Sequence, residues 1–233
     1  MLSPRERLIV ALDVSSAKEA QKIVSSLEDS VQIYKVGMQL YTAEGPQILR
    51  DLVAPGRRVF LDLKYHDIPN TVAASVREAA QLGVSMLTVH AAGGTKMLQA
   101  AVEAGREKNS GLQVLAVTVL TSMDDQDLNE IGVHGQVVDQ VLWLASLALE
   151  AGCGGVVSSA REVKTLRAKL GSDFLVVTPG VRPAGAAHGD QARVATPAEA
   201  IAAGATHVVV GRPITAAANP AAEAAKILQE LGT

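Results

Sequence analysis

Val59-Phe60-Leu61-Asp62-Leu63-Lys64-Tyr65-His66-Asp67-Ile68-Pro69-Asn70-Thr71 begins as an apolar run and ends in charges. Side chains alternate between the two faces of a strand, so Phe60, Asp62 and Lys64 share one face and Val59, Leu61 and Leu63 the other. One face is aliphatic, and the other turns ionic toward its C-terminal end. Pro69 suits the first turn of a helix, and an acceptable helical sequence runs from Val72 to Leu82. Asp67 therefore falls in a short strand-to-helix connection, and two carboxylates flank an ammonium group where a strand runs out. On an arbitrary surface such a D-x-K-x-x-D array is a solvated loop with an exposed ion pair. Here Asp62 and Lys64 sit inside an apolar strand, where ionisable groups are seldom placed without a partner or a task.

To either side, apolar β-branched runs alternate with segments of helical period. Strands are expected at Leu8 to Val14, Gln32 to Met38, Arg58 to Tyr65, Met86 to Ala92, Leu112 to Leu120, Gly154 to Ser159, Phe174 to Gly180 and His207 to Arg212. Helices are expected at Ser16 to Asp29, Thr95 to Lys108, Gln136 to Ala151, Arg161 to Leu170, Thr196 to Ala203 and Pro220 to Leu231. Leu82-Gly83-Val84, Ala151-Gly152-Cys153 and Ala203-Gly204-Ala205 each place a glycine where a helix would end. Alternation of this kind builds parallel βαβ units, whose strands read as near-continuous apolar runs because both faces are covered. Eight units with no linker between them predict an α/β fold, a single (β/α)8 TIM barrel spanning residues 1–233 as one domain. A doubly wound open sheet is the alternative.

Composition narrows the function classes. Hydrophobic residues make up 48% of the 233 residues, enough for a sizeable core, and Lys plus Arg number 21 against 24 for Asp plus Glu. A net charge of -3 and 3% aromatic residues supply neither a basic stripe nor stacking platforms, which argues against nucleic acid as a partner. The single cysteine, Cys153, can form no intrachain disulfide and reads as a small buried hydrophobe in a reducing compartment. No apolar run approaches 18 residues and the N-terminus lacks a signal core, so neither secretion nor a membrane partner is expected, and a cytoplasmic location is.

In a β/α barrel the reacting groups stand at the C-terminal ends of the strands. Strand one ends Ala11-Leu12-Asp13, strand two carries Lys35 before Val36-Gly37, strand three carries Asp62 and Lys64, and strand four ends at His90. Each lies on the phase opposite its large aliphatic neighbours. Asp13 or Lys35 alone reads equally as a satisfied core ion; charges from three strands meeting at one barrel mouth read as a site. His90 is either a hydrogen-bonded structural residue or a substrate contact.

Strand seven ends Thr178-Pro179-Gly180-Val181-Arg182-Pro183 and strand eight ends Val210-Gly211-Arg212-Pro213. The loops after these strands often bind phosphate, with glycine admitting backbone N–H groups and arginine supplying a bidentate fork, so Arg212 is the expected phosphate contact. The long connection from Arg182 to Val194, with Gly185, Gly189, Gln191 and Arg193, reads as a lid over a ligand or as a flexible surface loop. Thr121-Ser122, just after strand five, would hydrogen-bond a polar ligand edge or cap the next turn of the chain.

Taken together, Ala11-Leu12-Asp13, Lys35-Val36-Gly37, Leu61 through Thr71, Thr118-Val119-Leu120-Thr121-Ser122, Thr178 through Pro183 and Gly211-Arg212-Pro213 resemble the bacterial orotidine 5'-phosphate decarboxylases, over nearly the whole chain. The resemblance implies conversion of orotidine 5'-phosphate to UMP and CO2, the last step of pyrimidine nucleotide synthesis, with no metal and no organic cofactor. It implies that Lys64 donates a proton to C6, that Asp62 lies beside the substrate carboxylate, and that Lys35 and Asp13 hold the charge network and contact the ribose. Asp67 would cross the interface of a homodimer to complete the partner's site, and Ile68, Asn70 and Thr71 would join it in binding substrate. Thr121 would face the pyrimidine, and Arg182, Gln191, Gly211 and Arg212 would gather around the phosphate and the closing loop.

Two other readings share these features. The magnesium-dependent 3-hexulose-6-phosphate synthases resemble the same D-x-K-x-x-D core but carry a metal-binding glutamate where this chain has Lys35, and an ammonium group cannot coordinate magnesium. A noncatalytic phosphate-ligand-binding barrel would need the arginine site but not Lys64.

Overall fold

The computed structural model describes residues 2–183 and 195–232. Among them, eight parallel strands close into a barrel in sequence order: β1 (Leu8–Ala11), β2 (Ile33–Gly37), β3 (Arg58–Tyr65), β4 (Met86–His90), β5 (Gln113–Val117), β6 (Gly155–Val157), β7 (Leu175–Thr178) and β8 (His207–Val210), with β8 pairing back onto β1. Helices connect successive strands, as in a TIM barrel. The open-sheet alternative is thereby excluded.

The strand phases produce two apolar layers. Ile9, Ile33, Phe60, Met86, Leu115, Val177 and Val209 fill the barrel interior. Val10, Tyr34, Val36, Leu61, Leu87, Val176 and Val208 face outward into the larger layer beneath the helices. Asp13, Lys35, Asp62 and Lys64 continue the interior phase above the inner plug, which is why they meet at the mouth. The helix-ending glycines behave as expected: Gly83, Gly152 and Gly204 all take left-handed φ, at 79°, 91° and 107°.

Strands are shorter than the apolar runs suggest, because the last residues of most runs leave the ladder to form the mouth. Arg212 belongs to a short helix, Arg212–Thr215, rather than to the end of β8. Two seven-residue helices, Met38–Glu44 and Gln47–Val53, separated by Gly45-Pro46, fill the β2-to-β3 connection.

The most consequential departure lies in β3. Leu61 pairs with Leu87 and Tyr65 with Val89, so the pairing advances from 61 to 65 on β3 while it advances only from 87 to 89 on β4. This bulge carries Lys64 into the left-handed region at φ 54°, where non-glycine residues are uncommon.

Candidate active site

The charged groups form a chain across the mouth. Lys35 Nζ stands 2.7 Å from Asp13 Oδ1 and 3.8 Å from Asp62 Oδ2, and Lys64 Nζ donates to Asp62 Oδ1 at 2.9 Å. Burial deepens inward: the Asp13 side chain is 54% exposed, whereas those of Lys64, Asp62 and Lys35 are 24%, 15% and 10% exposed. Removing such charges from water is costly, so an array of this depth is a poor way to stabilise a fold and a good way to hold a field in place.

Two compartments share this array. The larger, about 540 Å³, is lined by Asp13, Lys35, Asp62, Lys64, Gly180, Arg182, Gly211 and Arg212, together with Met38, Gln39 and Thr215. The smaller, about 160 Å³, also touches Lys35, Asp62 and Lys64, but its other walls are mainly Phe60, Val117, Val119, Leu120, Val157, Pro179 and Val209, with Thr121 at its rim. A ligand spanning both would place a charged end between two arginines, a flat apolar portion in the smaller space, and its junction against the ammonium groups.

After β7, the Arg182 N–H donates to the Ala195 carbonyl at 3.0 Å. Among the described residues, no group of three or more His, Cys, Asp and Glu side chains is arranged to hold a metal ion, and no helix is long and apolar enough to cross a membrane.

A model of the orotidine 5'-phosphate decarboxylase / HUMPS family matches residues 6–227. The chain belongs to this family. The orotidine 5'-phosphate decarboxylase of Moorella thermoacetica is 50% identical over 233 residues, covering 97% of this chain and 92% of that one. Its counterpart in Halorhodospira halophila is 53% identical over 225 residues, covering 97% and 95%. The crystal structure of orotidine 5'-phosphate decarboxylase from Lactobacillus acidophilus superposes with a TM-score of 0.86 at 41% identity, covering 98% of this chain and all of that one.

Within this decarboxylase-family barrel the expected residues divide into three groups. Asp13, Lys35, Asp62, Lys64, Arg182, Gly211 and Arg212 line the larger compartment and Thr121 the smaller. Asp67, Ile68, Asn70 and Thr71 do not join them: they lie exposed at and just after the β3-to-helix connection and line neither space. The Asp67 carboxylate accepts the Ile68 N–H at 2.6 Å, and Ile68 is 66% exposed. Gln191, with Gly185, Gly189 and Arg193, lies outside the described residues.

His90, at the end of β4, stands beside His66, with ring centroids 5.5 Å apart. Burial pushes its pKa below the usual histidine value, His66 and Lys64 add to the effect, and Asp62 opposes it. Cys153 is buried and free, and burial pushes its thiol up to about 12, so it behaves as the small hydrophobe expected of it. Thr88 is a member of the site that sequence reasoning misses. Its signal is faint: a hydroxyl residue on the interior phase of β4, between Met86 and His90.

Proposed function

We propose that this barrel decarboxylates orotidine 5'-phosphate to UMP and CO2 and so completes UMP synthesis in the cytoplasm. The observation that carries the reading is the Asp13, Lys35, Asp62, Lys64 chain standing where a polar, arginine-bearing compartment meets an apolar one. The names of the relatives support it. The phosphate goes to Arg212, Arg182 and the Gly211 backbone; the pyrimidine enters the smaller compartment, where Thr121 meets a polar edge; Asp13 and Lys35 hold the ribose. Gln191, which lies outside the described residues, is assigned a contact with the phosphate.

In that pose C6 of the pyrimidine faces Lys64. The C6–carboxylate bond breaks with its electron pair left on C6, CO2 departs, and the Lys64 ammonium gives its proton to that carbon. Solvent then reprotonates the amine. The ring delocalises the C6 electron pair poorly, so a preorganised cation beside it is the main electrostatic remedy. Pressing the substrate carboxylate against Asp62 contributes roughly 4 kcal/mol for charges about 4 Å apart at an effective dielectric near 20. Enzymes of very slow reactions need about 23 kcal/mol, so most of the acceleration comes from transition-state stabilisation and from phosphate binding energy. Exposed Asp67 and its neighbours Ile68, Asn70 and Thr71 are assigned to the partner's site in a homodimer, since within one chain they line neither compartment of the candidate site.

The test is the loss of orotidine 5'-phosphate absorbance with purified protein in excess EDTA, beside Lys64→Ala. Turnover with EDTA that disappears in the variant supports the reading. A folded wild-type protein without turnover overturns it and directs attention to aldol chemistry on ketose phosphates with magnesium.

A further inference from the structure

Thr88 is fully buried on the interior face of β4, and the reaction above gives it no task. Its hydroxyl makes two hydrogen bonds. The Lys64 backbone N–H donates to Thr88 Oγ1 at 2.9 Å, and Thr88 Oγ1 donates to Asp62 Oδ1 at 2.9 Å. The direction is fixed by chemistry: an amide N–H can only donate, a carboxylate facing two ammonium groups can only accept, and the hydroxyl has one proton.

Both bonds matter because of the bulge. Where β3 leaves its register against β4, the Lys64 N–H loses the ladder acceptor a regular strand would offer, and a buried amide needs a replacement. Thr88 provides it at the residue whose φ is left-handed. Asp62 Oδ1 also receives the Lys64 ammonium at 2.9 Å. A closed loop results, running from the Lys64 backbone through the Thr88 hydroxyl and the Asp62 carboxylate to the Lys64 ammonium.

We propose that Thr88 is a positioning residue for the decarboxylation, locking the bulge that launches the Lys64 side chain and the carboxylate that steers its ammonium. The inference rests on the decarboxylase reading of the site. A valine at 88 would fill the same space and leave both the amide and one carboxylate lone pair unmet, whereas serine would keep both bonds.

The test compares wild type, Thr88→Val and Thr88→Ser by kcat, by affinity for UMP, and by deuterium exchange of the Lys64 amide. A displaced catalytic group with intact substrate contacts lowers kcat by about 100-fold and leaves UMP affinity within about threefold in Thr88→Val, with Thr88→Ser within about fivefold of wild type. The Lys64 amide should exchange about tenfold faster or more in the valine variant and stay slow in the serine variant. Thr88→Val with wild-type kcat, a serine variant as impaired as valine, or UMP affinity falling in step with kcat each overturns the proposal. If the valine variant does not fold, the serine variant decides alone: near-normal kcat and a slow amide support the role, and a folded serine variant with about 100-fold lower kcat refutes it. A wild-type protein without turnover overturns the decarboxylase reading instead, and the amide exchange then tests the Thr88 bond by itself.

Discussion

The Lys35 ammonium occupies the space that a side chain at Gly37 would need: a Cβ there would stand 2.8 Å from Lys35 Nζ and 3.0 Å from Asp13 Oδ1. Gly37 has an ordinary extended φ of -95°, so backbone freedom is not what the position requires. Gly37→Ala displaces the far end of a flexible lysine, which costs the fold little and the array much. Stability within about 1 kcal/mol of wild type is expected, with kcat/KM reduced by about 10- to 100-fold. Thermal unfolding beside steady-state kinetics checks both, and a fully active alanine variant would show that the Lys35–Asp13 geometry is not needed.

Asp67 lies outside the cavity of its own chain, and its placement in trans is open to complementation. In the proposed homodimer, Asp67→Asn and Lys64→Ala should each leave a nearly inactive protein. Random mixing of the two chains should restore about one intact site per mixed dimer, roughly a quarter of wild-type activity overall when the chains are equal in amount. Confirmed subunit exchange without recovery rules the shared site out.

Arg212 faces the larger compartment from the first turn of a four-residue helix. If it holds phosphate, Arg212→Ala forfeits a charge-assisted hydrogen bond of about 1.5–3 kcal/mol, so UMP should bind about 10- to 100-fold more weakly. Lys64→Ala should leave UMP affinity nearly unchanged. Calorimetric titration separates the two, and equal losses would mean that binding and chemistry are not divided between these residues.

His207 opens β8 at the opposite end of the barrel, buried, with Nε2 lacking a hydrogen-bond partner among the described residues. Burial, reinforced by Arg58 and Arg7, pushes its pKa down to about 4. The unfolded chain, with a value near 6.5, binds the proton first as pH falls. Stability is therefore complete above about pH 6.5 and declines toward pH 4, by about 3 kcal/mol in all. Denaturant unfolding of wild type and His207→Phe across this range should show a flatter profile in the variant; parallel profiles would exclude His207 as the cause.

The fold was legible because one rule, alternation of apolar strands with helical segments, holds from β1 to β8. The same period-2 phase placed Asp13, Lys35, Asp62 and Lys64 on the interior face. Met38–Glu44 and Gln47–Val53 escaped because seven residues give too few turns for a 3.6-residue period to register. The β3 bulge escaped for a different reason: it depends on which β4 residue faces Asp62 and Lys64, and strand pairing is not written in either strand alone. Thr88 could not be recognised until that pairing was known. Asp67, Ile68, Asn70 and Thr71 matched the family pattern, but within one chain they line neither compartment beside the charged array.

Lys64 is held at φ 54°, a conformation that costs an L-residue roughly 1–2 kcal/mol and glycine almost nothing. The backbone at position 64 therefore favours glycine over the lysine to which we assign the proton transfer. A glycine at position 64 would relieve that strain and discard both the proposed proton donor and its 2.9 Å ion pair with Asp62. Under the proposed role of Lys64, engineering of this protein has to score stability and turnover together, because backbone strain and proton donation make opposite demands on this position.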